Sequence, residues 1–161
     1  MLGATLALDI ATAPCRAVVQ SGGWALRISP RQLRLELNHC PRLRQTLKRY
    51  LYLLLTQWAQ AAVCGRFHEV EPRLARWLLM TADCSHADSF YLTHAYLADL
   101  LGVRRSGVTI AAGALQARGL IQYRRGHITI LDHAGLQRAA CECYAAMRES
   151  YARLFTAATQ G

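Results

Sequence analysis

The chain has 161 residues, 53% of them hydrophobic and 18% charged, so it can bury a core and is not a disordered tail. This length fits one ordinary domain, or two small domains that share a long element. The formal net charge is +9, from 19 basic and 10 acidic residues. This excess of positive charge favours nucleic acid ahead of membrane as a partner. Lys48 is the single lysine, and a GC-rich genome would also explain the abundance of arginine.

The cysteine pattern favours free buried thiols in a cytoplasmic protein over a disulfide framework, because most cysteines fall within apolar helical patterns. The amino-terminal stretch lacks a basic n-region and has Asp9 within its apolar part, so no secretory signal is predicted. The densest apolar run, residues 50–64, is shorter than a membrane span and is interrupted by Gln57 and Gln60. The six cysteines are Cys15, Cys40, Cys64, Cys84, Cys141 and Cys143.

The first 28 residues have the composition of short extended pieces. Residues 16–20 and 24–29 are rich in β-forming side chains and flank Ser21-Gly22-Gly23, which predicts a hairpin. Two or three strands do not make a stable sheet alone, so we expect this region to be the end of a larger β-structure.

Two helices are predicted next, and the second is long. Ser29 can cap a helix that has Pro30 in its first position and reaches about Asn38, and residues 41–66 then form the long helix. Apolar residues along the long helix are separated alternately by four and three positions, as in the seam of a coiled coil. This pattern predicts a homodimer. A core helix in a monomer is the alternative. The predicted seam consists of Leu47, Leu51, Leu54, Trp58 and Ala61.

Three further segments complete the chain. A helix is predicted from about Glu69 to Thr81, with Val70, Leu74, Trp77 and Leu78 facing inward. A polar loop over 83–90 follows, and the chain ends in a helix from about Ala134 to Phe155.

Residues 93–118 have the pattern of a helix-turn-helix. Thr93 can cap the first helix, and Gly102 supplies the left-handed conformation that ends it. Small and apolar residues occupy the positions at which the two helices must cross closely. These are Leu97, Ala98, Leu101, Val103, Val108, Ala111 and Leu115.

Basic and hydroxyl side chains occupy the outward face of the second helix at its amino-terminal end. The helix dipole disfavours cations there, so the placement of Arg104 and Arg105 indicates a polyanionic partner. With Ser106 and Thr109 they form the part of a recognition helix that meets DNA in the major groove. Thr93, at the start of the first helix, is a further predicted DNA contact. Strands on either side of the turn at Arg124 and Arg125 predict a wing whose arginines contact phosphates.

The segment "LTHAYLADLLGVRRSGVTIAAGALQARGLIQYRRGHITILD" closely resembles the carboxy-terminal winged helix-turn-helix of the Crp/Fnr transcription regulators. Residues 41–66 resemble the dimerisation helix of that family, and residues 1–40 resemble the end of its cyclic-nucleotide-binding-like β-roll. The resemblance is strongest over 66–131. It implies an α+β fold, mainly α with small β elements, in which residues 67–161 form the DNA-binding domain with an extra carboxy-terminal helix.

The same resemblance implies a cytoplasmic, homodimeric regulator that binds an inverted-repeat operator on double-stranded DNA, with RNA polymerase as a further candidate partner. Ala13-Pro14 stands where nucleotide-binding members have an Arg-Ser pair, and the cysteine cluster of iron–sulfur sensors is missing. We therefore expect neither a cofactor nor cyclic-nucleotide binding. Arg105 matches the family's arginine, whereas Ser106 replaces a frequent glutamate and Ile110 a second arginine.

Two other functions compete with this interpretation. An enzyme would need a catalytic or metal cluster. Cys84 and His86 are too few ligands for zinc, and Cys141 and Cys143 on one helix would point in different directions, so neither catalysis nor a metal site is predicted. The other candidate is a truncated regulator that forms dimers through its long helix without binding DNA.

Overall fold

The computed structural model of the chain describes residues 1–13, 15–19 and 22–155. It is mainly helical with one small antiparallel sheet, which confirms the predicted fold class. The chain divides into two compact units, Met1–Thr56 and Gln57–Gly161. Among the described residues, no helix combines the length and apolar character needed to cross a membrane.

The first unit is built around two helices, α1 (Pro30–His39) and the beginning of α2 (Pro41–Phe67), and a 3₁₀ helix at Ala4–Leu8. The Ser29 side chain caps α1 by accepting a hydrogen bond from the backbone N–H of Gln32, as predicted. A small apolar cluster holds the elements together. It comprises Leu33, Leu37 and Leu47, with Leu6, Ala7 and Leu43 packed against them.

The hairpin predicted in the first unit is wrong for the described residues. Neither 16–19 nor 22–29 lies in a strand, and the side chains of Trp24 and Leu26 are fully exposed. Gln20 and Ser21, in the predicted turn region, lie outside the described residues. A β-rich composition becomes a strand only when another strand pairs with its backbone, and the described part of this unit contains no such partner.

The second unit contains the end of α2, five further helices and a three-stranded sheet. The helices are α3 (Val70–Ser85), α4 (His94–Leu101), α5 (Arg105–Ala117), α6 (His133–Ala139) and α7 (Cys143–Phe155). The strands are β1 (Ser89–Tyr91), β2 (Ile121–Arg124) and β3 (His127–Ile130), in the antiparallel order β1-β3-β2. One apolar core lies among α3, α4, α5 and the sheet, with Leu74, Leu78, Leu97 and Leu115 fully buried.

The loop predicted over 83–90 is wrong at its end, because Ser89–Tyr91 form strand β1. Ser89 pairs with Thr129 and Tyr91 with His127 on β3. Only three residues long and preceded by polar side chains, β1 has little local signal of its own. Its conformation comes from the backbone of β3, which is distant in sequence.

The helix predicted over 134–155 is interrupted. Helix α6 ends at Ala139, Ala140 has an extended backbone, and α7 begins at Cys143. Cys141 therefore lies in the link between two helices, and the expectation that Cys141 and Cys143 point in different directions is wrong. Both are buried together with Cys64, whereas Cys15, Cys40 and Cys84 are exposed, so the expectation of buried thiols holds for three of the six.

Candidate nucleic-acid interface

The helix-turn-helix follows the pattern predicted from the sequence. The hydroxyl of Thr93 accepts a hydrogen bond from the backbone N–H of Tyr96 and caps α4. Gly102 ends this helix with a φ of 63°, and its N–H bonds back to the carbonyl of Ala98. Val108 and Leu115 of α5 are fully buried and Ala111 nearly so, so the two helices pack closely across the turn.

The beginning of α5 presents its basic side chains to solvent. Arg104 is the N-cap residue and makes no side-chain capping bond, and Arg105 is the first residue of the helix. Both arginines and Ser106 are exposed. Within residues 1–13, 15–19 and 22–155, no carboxylate pairs with either guanidinium group, whereas Arg118 at the other end of the helix pairs with Glu71 at 2.8 Å.

Thr109, which was predicted to meet DNA, is exposed, and internal hydrogen bonds occupy its hydroxyl. Its oxygen lies 3.0 Å from Nδ1 of His94 and 3.1 Å from the carbonyl oxygen of Arg105. A neutral His94 that donates from Nδ1 to Thr109, which in turn donates to the carbonyl, satisfies both contacts. Thr109 therefore ties the first turn of α5 to the start of α4.

The environment of His94 favours that neutral form. Burial, reinforced by the positive charge of Arg105, lowers the pKa of His94 below its usual value. Its Nε2 atom is buried without a hydrogen-bond partner among the described residues, and a proton there would have no acceptor. The imidazole also stacks on Tyr123 with 4.3 Å between ring centroids, so one side chain links α4, α5 and β2.

The wing is a two-residue hairpin. Arg124 pairs with His127 across β2 and β3, and the two residues between them, Arg125 and Gly126, have φ values of 51° and 84°. Positive φ at both central positions is the geometry of a type I′ turn. A Cβ on Gly126 would lie 2.9 Å from the Tyr91 ring. The turn therefore requires glycine there, while Arg124 and Arg125 remain exposed.

One exposed residue of α5 was noted in the sequence only as a departure from the family pattern. Ile110 lies one helical turn after Ser106 on the same face and is 73% exposed. A large apolar side chain in solvent beside arginines is suited to contact with the methyl group of thymine. Its position on the outward face of the predicted helix was the sequence signal that could have marked Ile110 as a candidate DNA contact.

The residues predicted to form the dimer seam differ in exposure. Leu47 is only 6% exposed because it packs within the first unit, Leu51 and Leu54 are half-buried, and Trp58 and Ala61 are exposed. Tyr52 and Leu55, which were not in the predicted seam, are 59% and 61% exposed. The exposed apolar surface of α2 therefore includes Trp58 and Ala61 of the predicted seam, together with Tyr52 and Leu55 beside it.

A second group of polar side chains lies away from the arginines. Cys64, His68, Cys141 and Cys143 bring their sulfur and nitrogen atoms within 4.8 Å of one another, a spacing suited to a metal ion. Burial, and next the adjacent thiol of Cys64, raise the pKa of Cys141 to about 12, so this thiol is neutral unless a metal displaces its proton.

Comparison with known proteins identifies the helix-turn-helix. Residues 72–139 match the family model described as the Crp-like helix-turn-helix domain. Among solved structures, a CRP-family transcriptional regulator from Thermus thermophilus is 25% identical, with a TM-score of 0.56 over 70% of this chain and 58% of its own. No curated protein sequence gives a significant match.

Two other solved structures have lower TM-scores. A protein assigned to the Crp/Fnr regulators of Eubacterium rectale is 23% identical, with a TM-score of 0.46 over 70% of this chain and 46% of its own. The catabolite activator protein of Thermus thermophilus is 22% identical, with a TM-score of 0.40 over 73% of this chain and 50% of its own. The chain thus spans about half the length of these proteins.

The packed helix-turn-helix with its winged hairpin, the family match over 72–139 and the Thermus regulator structure agree. Together they show that residues 72–139 form a Crp-like helix-turn-helix domain, in a chain whose fold is similar to that of a CRP-family transcriptional regulator.

Proposed function

We propose that the chain is a sequence-specific DNA-binding regulator of transcription that acts in the cytoplasm as a homodimer. The observation that carries this proposal is the arginine surface of the second unit. Arg104, Arg105, Arg124 and Arg125 are all exposed, and among the described residues none of them pairs with a carboxylate. Unpaired cations on a recognition helix and a wing are suited to DNA phosphates and base edges.

Helix α5 supplies base recognition in this proposal. Arg105 extends from the first turn, where it can bond bidentately to O6 and N7 of guanine. Ser106 and Ile110 follow on the same exposed face, and Arg104 precedes them. Thr109 acts by holding this turn in place, and Thr93 by capping α4. The wing arginines contact phosphates, which orients the domain on the duplex without reading sequence.

Dimer formation through α2 is supported by its exposed apolar side chains. Tyr52, Leu55 and Trp58 are each more than half exposed, and Leu55 and Trp58 are separated by a helical step that places them on one face. A twofold dimer would present two α5 helices to successive major grooves, about 34 Å apart, on an inverted repeat. RNA polymerase is then a further candidate partner.

The dimer proposal is tested by sedimentation velocity of Leu55→Glu combined with Trp58→Glu. Because both side chains are exposed, the double variant should fold and sediment as a monomer. Leu131→Glu is the matched control, since Leu131 is 58% exposed outside α2 and its variant should remain dimeric. A double variant that remains dimeric would show that α2 does not form the interface.

DNA binding is tested by selecting duplexes from a random library and measuring binding isotherms over a salt series. We expect enrichment of an inverted repeat, and an affinity that falls steeply as salt increases because arginines displace counterions. A folded homodimer that binds no duplex even at low salt would contradict the proposal. That result would favour a dimer-forming module that interferes with full-length regulators.

A further inference from the structure

The end of α2 and the α6–α7 link bring four potential metal ligands together. Cys64 lies in the last turn of α2, and His68 directly follows the helix, with its backbone N–H bonded to the carbonyl oxygen of Cys64 at 3.1 Å. Cys141 lies in the link, and Cys143 is the first residue of α7. The break in the helix after Ala139 turns both of these cysteines toward α2.

Two of the distances between these atoms match those around a single tetrahedral ion, and all four atoms lie within 4.8 Å of one another. The Sγ atoms of Cys64 and Cys141 are 3.6 Å apart, and Sγ of Cys143 is 3.6 Å from Nδ1 of His68. A tetrahedral zinc ion, with Zn–S bonds of about 2.3 Å and a Zn–N bond of about 2.0 Å, holds its ligand atoms roughly 3.6–3.8 Å apart. A disulfide would need the sulfur atoms at about 2.05 Å.

Neighbouring groups are arranged as they are around metal ligands. Nε2 of His68 lies 2.9 Å from a carboxylate oxygen of Glu142, which leaves Nδ1 directed at the thiols. Such a carboxylate orients a ligating histidine and makes it more basic. The side-chain amide of Gln60 donates a hydrogen bond to Sγ of Cys143 at 3.0 Å, which would stabilise a thiolate at that position.

The burial and the chemical type of the four ligands favour a zinc ion. Cys64 and Cys143 are 0% exposed and Cys141 is 6% exposed, so the thiols are shielded from solvent, while His68 is half-buried. Three thiolates and one imidazole favour zinc over the hard cations, which prefer oxygen. An iron–sulfur cluster would spread its ligands over several iron atoms, whereas these four atoms lie within 4.8 Å of one another.

We propose that Cys64, His68, Cys141 and Cys143 bind one structural Zn²⁺ ion, which joins the end of α2 to the α6–α7 link. Zinc displaces the protons of the three thiols, so binding releases three protons, and all four ligand positions are filled by protein. A closed site of this kind stabilises the fold and leaves no open position for catalysis. This inference does not depend on DNA binding.

The first test is the metal content of the full chain, purified under reducing conditions from cells grown with zinc. We expect about one zinc per chain by plasma mass spectrometry, and removal by a chelator should lower the unfolding temperature. Cobalt substitution should give the intense visible bands of a tetrahedral site and a thiolate charge-transfer band. Chains with under about a tenth of a zinc ion that also leave added cobalt colourless would overturn the proposal.

Variants separate the site from general folding. Cys64→Ser and Cys141→Ser should each reduce zinc content at least tenfold, whereas Cys84→Ser, which changes an exposed thiol outside the cluster, should retain it. His68→Cys should keep one ion with a four-thiolate cobalt spectrum, which guards against variants that merely fail to fold. Iron with inorganic sulfide, or a Cys64–Cys141 disulfide in the freshly prepared chain, would overturn the assignment.

Discussion

The start of α5 and the wing each present two consecutive arginines, but the structure holds the two pairs differently. Arg105 begins a helix whose first turn is tied to α4 through Thr109 and His94. Arg125 lies at a two-residue turn with strand pairing on either side and solvent around its side chain. A side chain on a rigid packed element can discriminate among base edges, whereas one at a loop tip is suited to phosphates.

The largest effect is expected from a substitution at the start of α5. Arg105→Ala should weaken binding to the selected inverted repeat by about 1–3 kcal/mol per half-site and relax preference at one base pair in each, because a bidentate base contact is lost. Competition isotherms on selected and scrambled duplexes measure both quantities. Arg118→Ala is the matched control, since Arg118 is on the same helix but pairs with Glu71. Loss of discrimination in a wing variant instead would reverse the assigned roles.

The next effect concerns the geometry that holds the wing arginines. Gly126→Ala should reduce the free energy of unfolding by about 1–2 kcal/mol, because alanine is strained at positive φ, and its Cβ would lie 2.9 Å from the ring of Tyr91. Gly113→Ala is the contrasting control. Gly113 lies in α5 with open space around it, so alanine should add up to about 1 kcal/mol of stability. Urea unfolding that ranks the two variants in the opposite order would contradict the described turn.

A smaller effect should follow from removing one wing charge without disturbing the turn. Arg125→Asn creates an Asn-Gly turn, the sequence that type I′ geometry favours. Affinity should fall similarly for all duplexes, and the slope of log affinity against log salt should become shallower by about 1.8 for the dimer, because each protomer loses one phosphate contact. An unchanged slope would show that this arginine does not contact the backbone.

The smallest effect is a pH dependence that originates at His94. Its pKa is lowered in the folded chain, so the unfolded chain, with a pKa of about 6.5, takes up the proton first. The stabilisation is complete above pH 6.5 and is lost as the pH falls from that value toward the folded-state pKa. Thermal unfolding of wild type and His94→Gln should differ in this window, with a shallower pH dependence for the variant. Parallel curves would show that His94 does not contribute.

Much of the fold and part of the site could be predicted because the signals are local. Ser29 and Thr93 cap helices through bonds to residues three positions away, and Gly102 ends a helix through its own φ. The offsets of apolar residues in α4 and α5 place them in the core by helical geometry alone. The exposed arginines follow from the same periodicity, since the opposite face of each helix is buried.

Where prediction failed, the outcome depended on residues distant in sequence. Strand β1 forms only because β3 pairs with it, and residues 22–29 have strand-like composition but no partner among the described residues. Leu47 and Leu51 look equivalent in a repeating pattern, yet Leu47 is buried against α1 and Leu51 only partly. Thr109 was placed on the outer face correctly, but its bond to His94 depends on how the helices cross.

The sequence by itself determined the helices, their caps, the helix-turn-helix and the position of the wing, because backbone conformation and helical periodicity act over a few residues. Only the tertiary structure decided which apolar residues of α2 remain exposed, which strands pair and which cysteines meet. Cys64 and Cys141 lie far apart along the chain, and their sulfur atoms come within 3.6 Å only because α6 stops at Ala139 and the link turns back toward α2. Spacing along a sequence carries no information about such a contact until the path of the chain between the two residues is known.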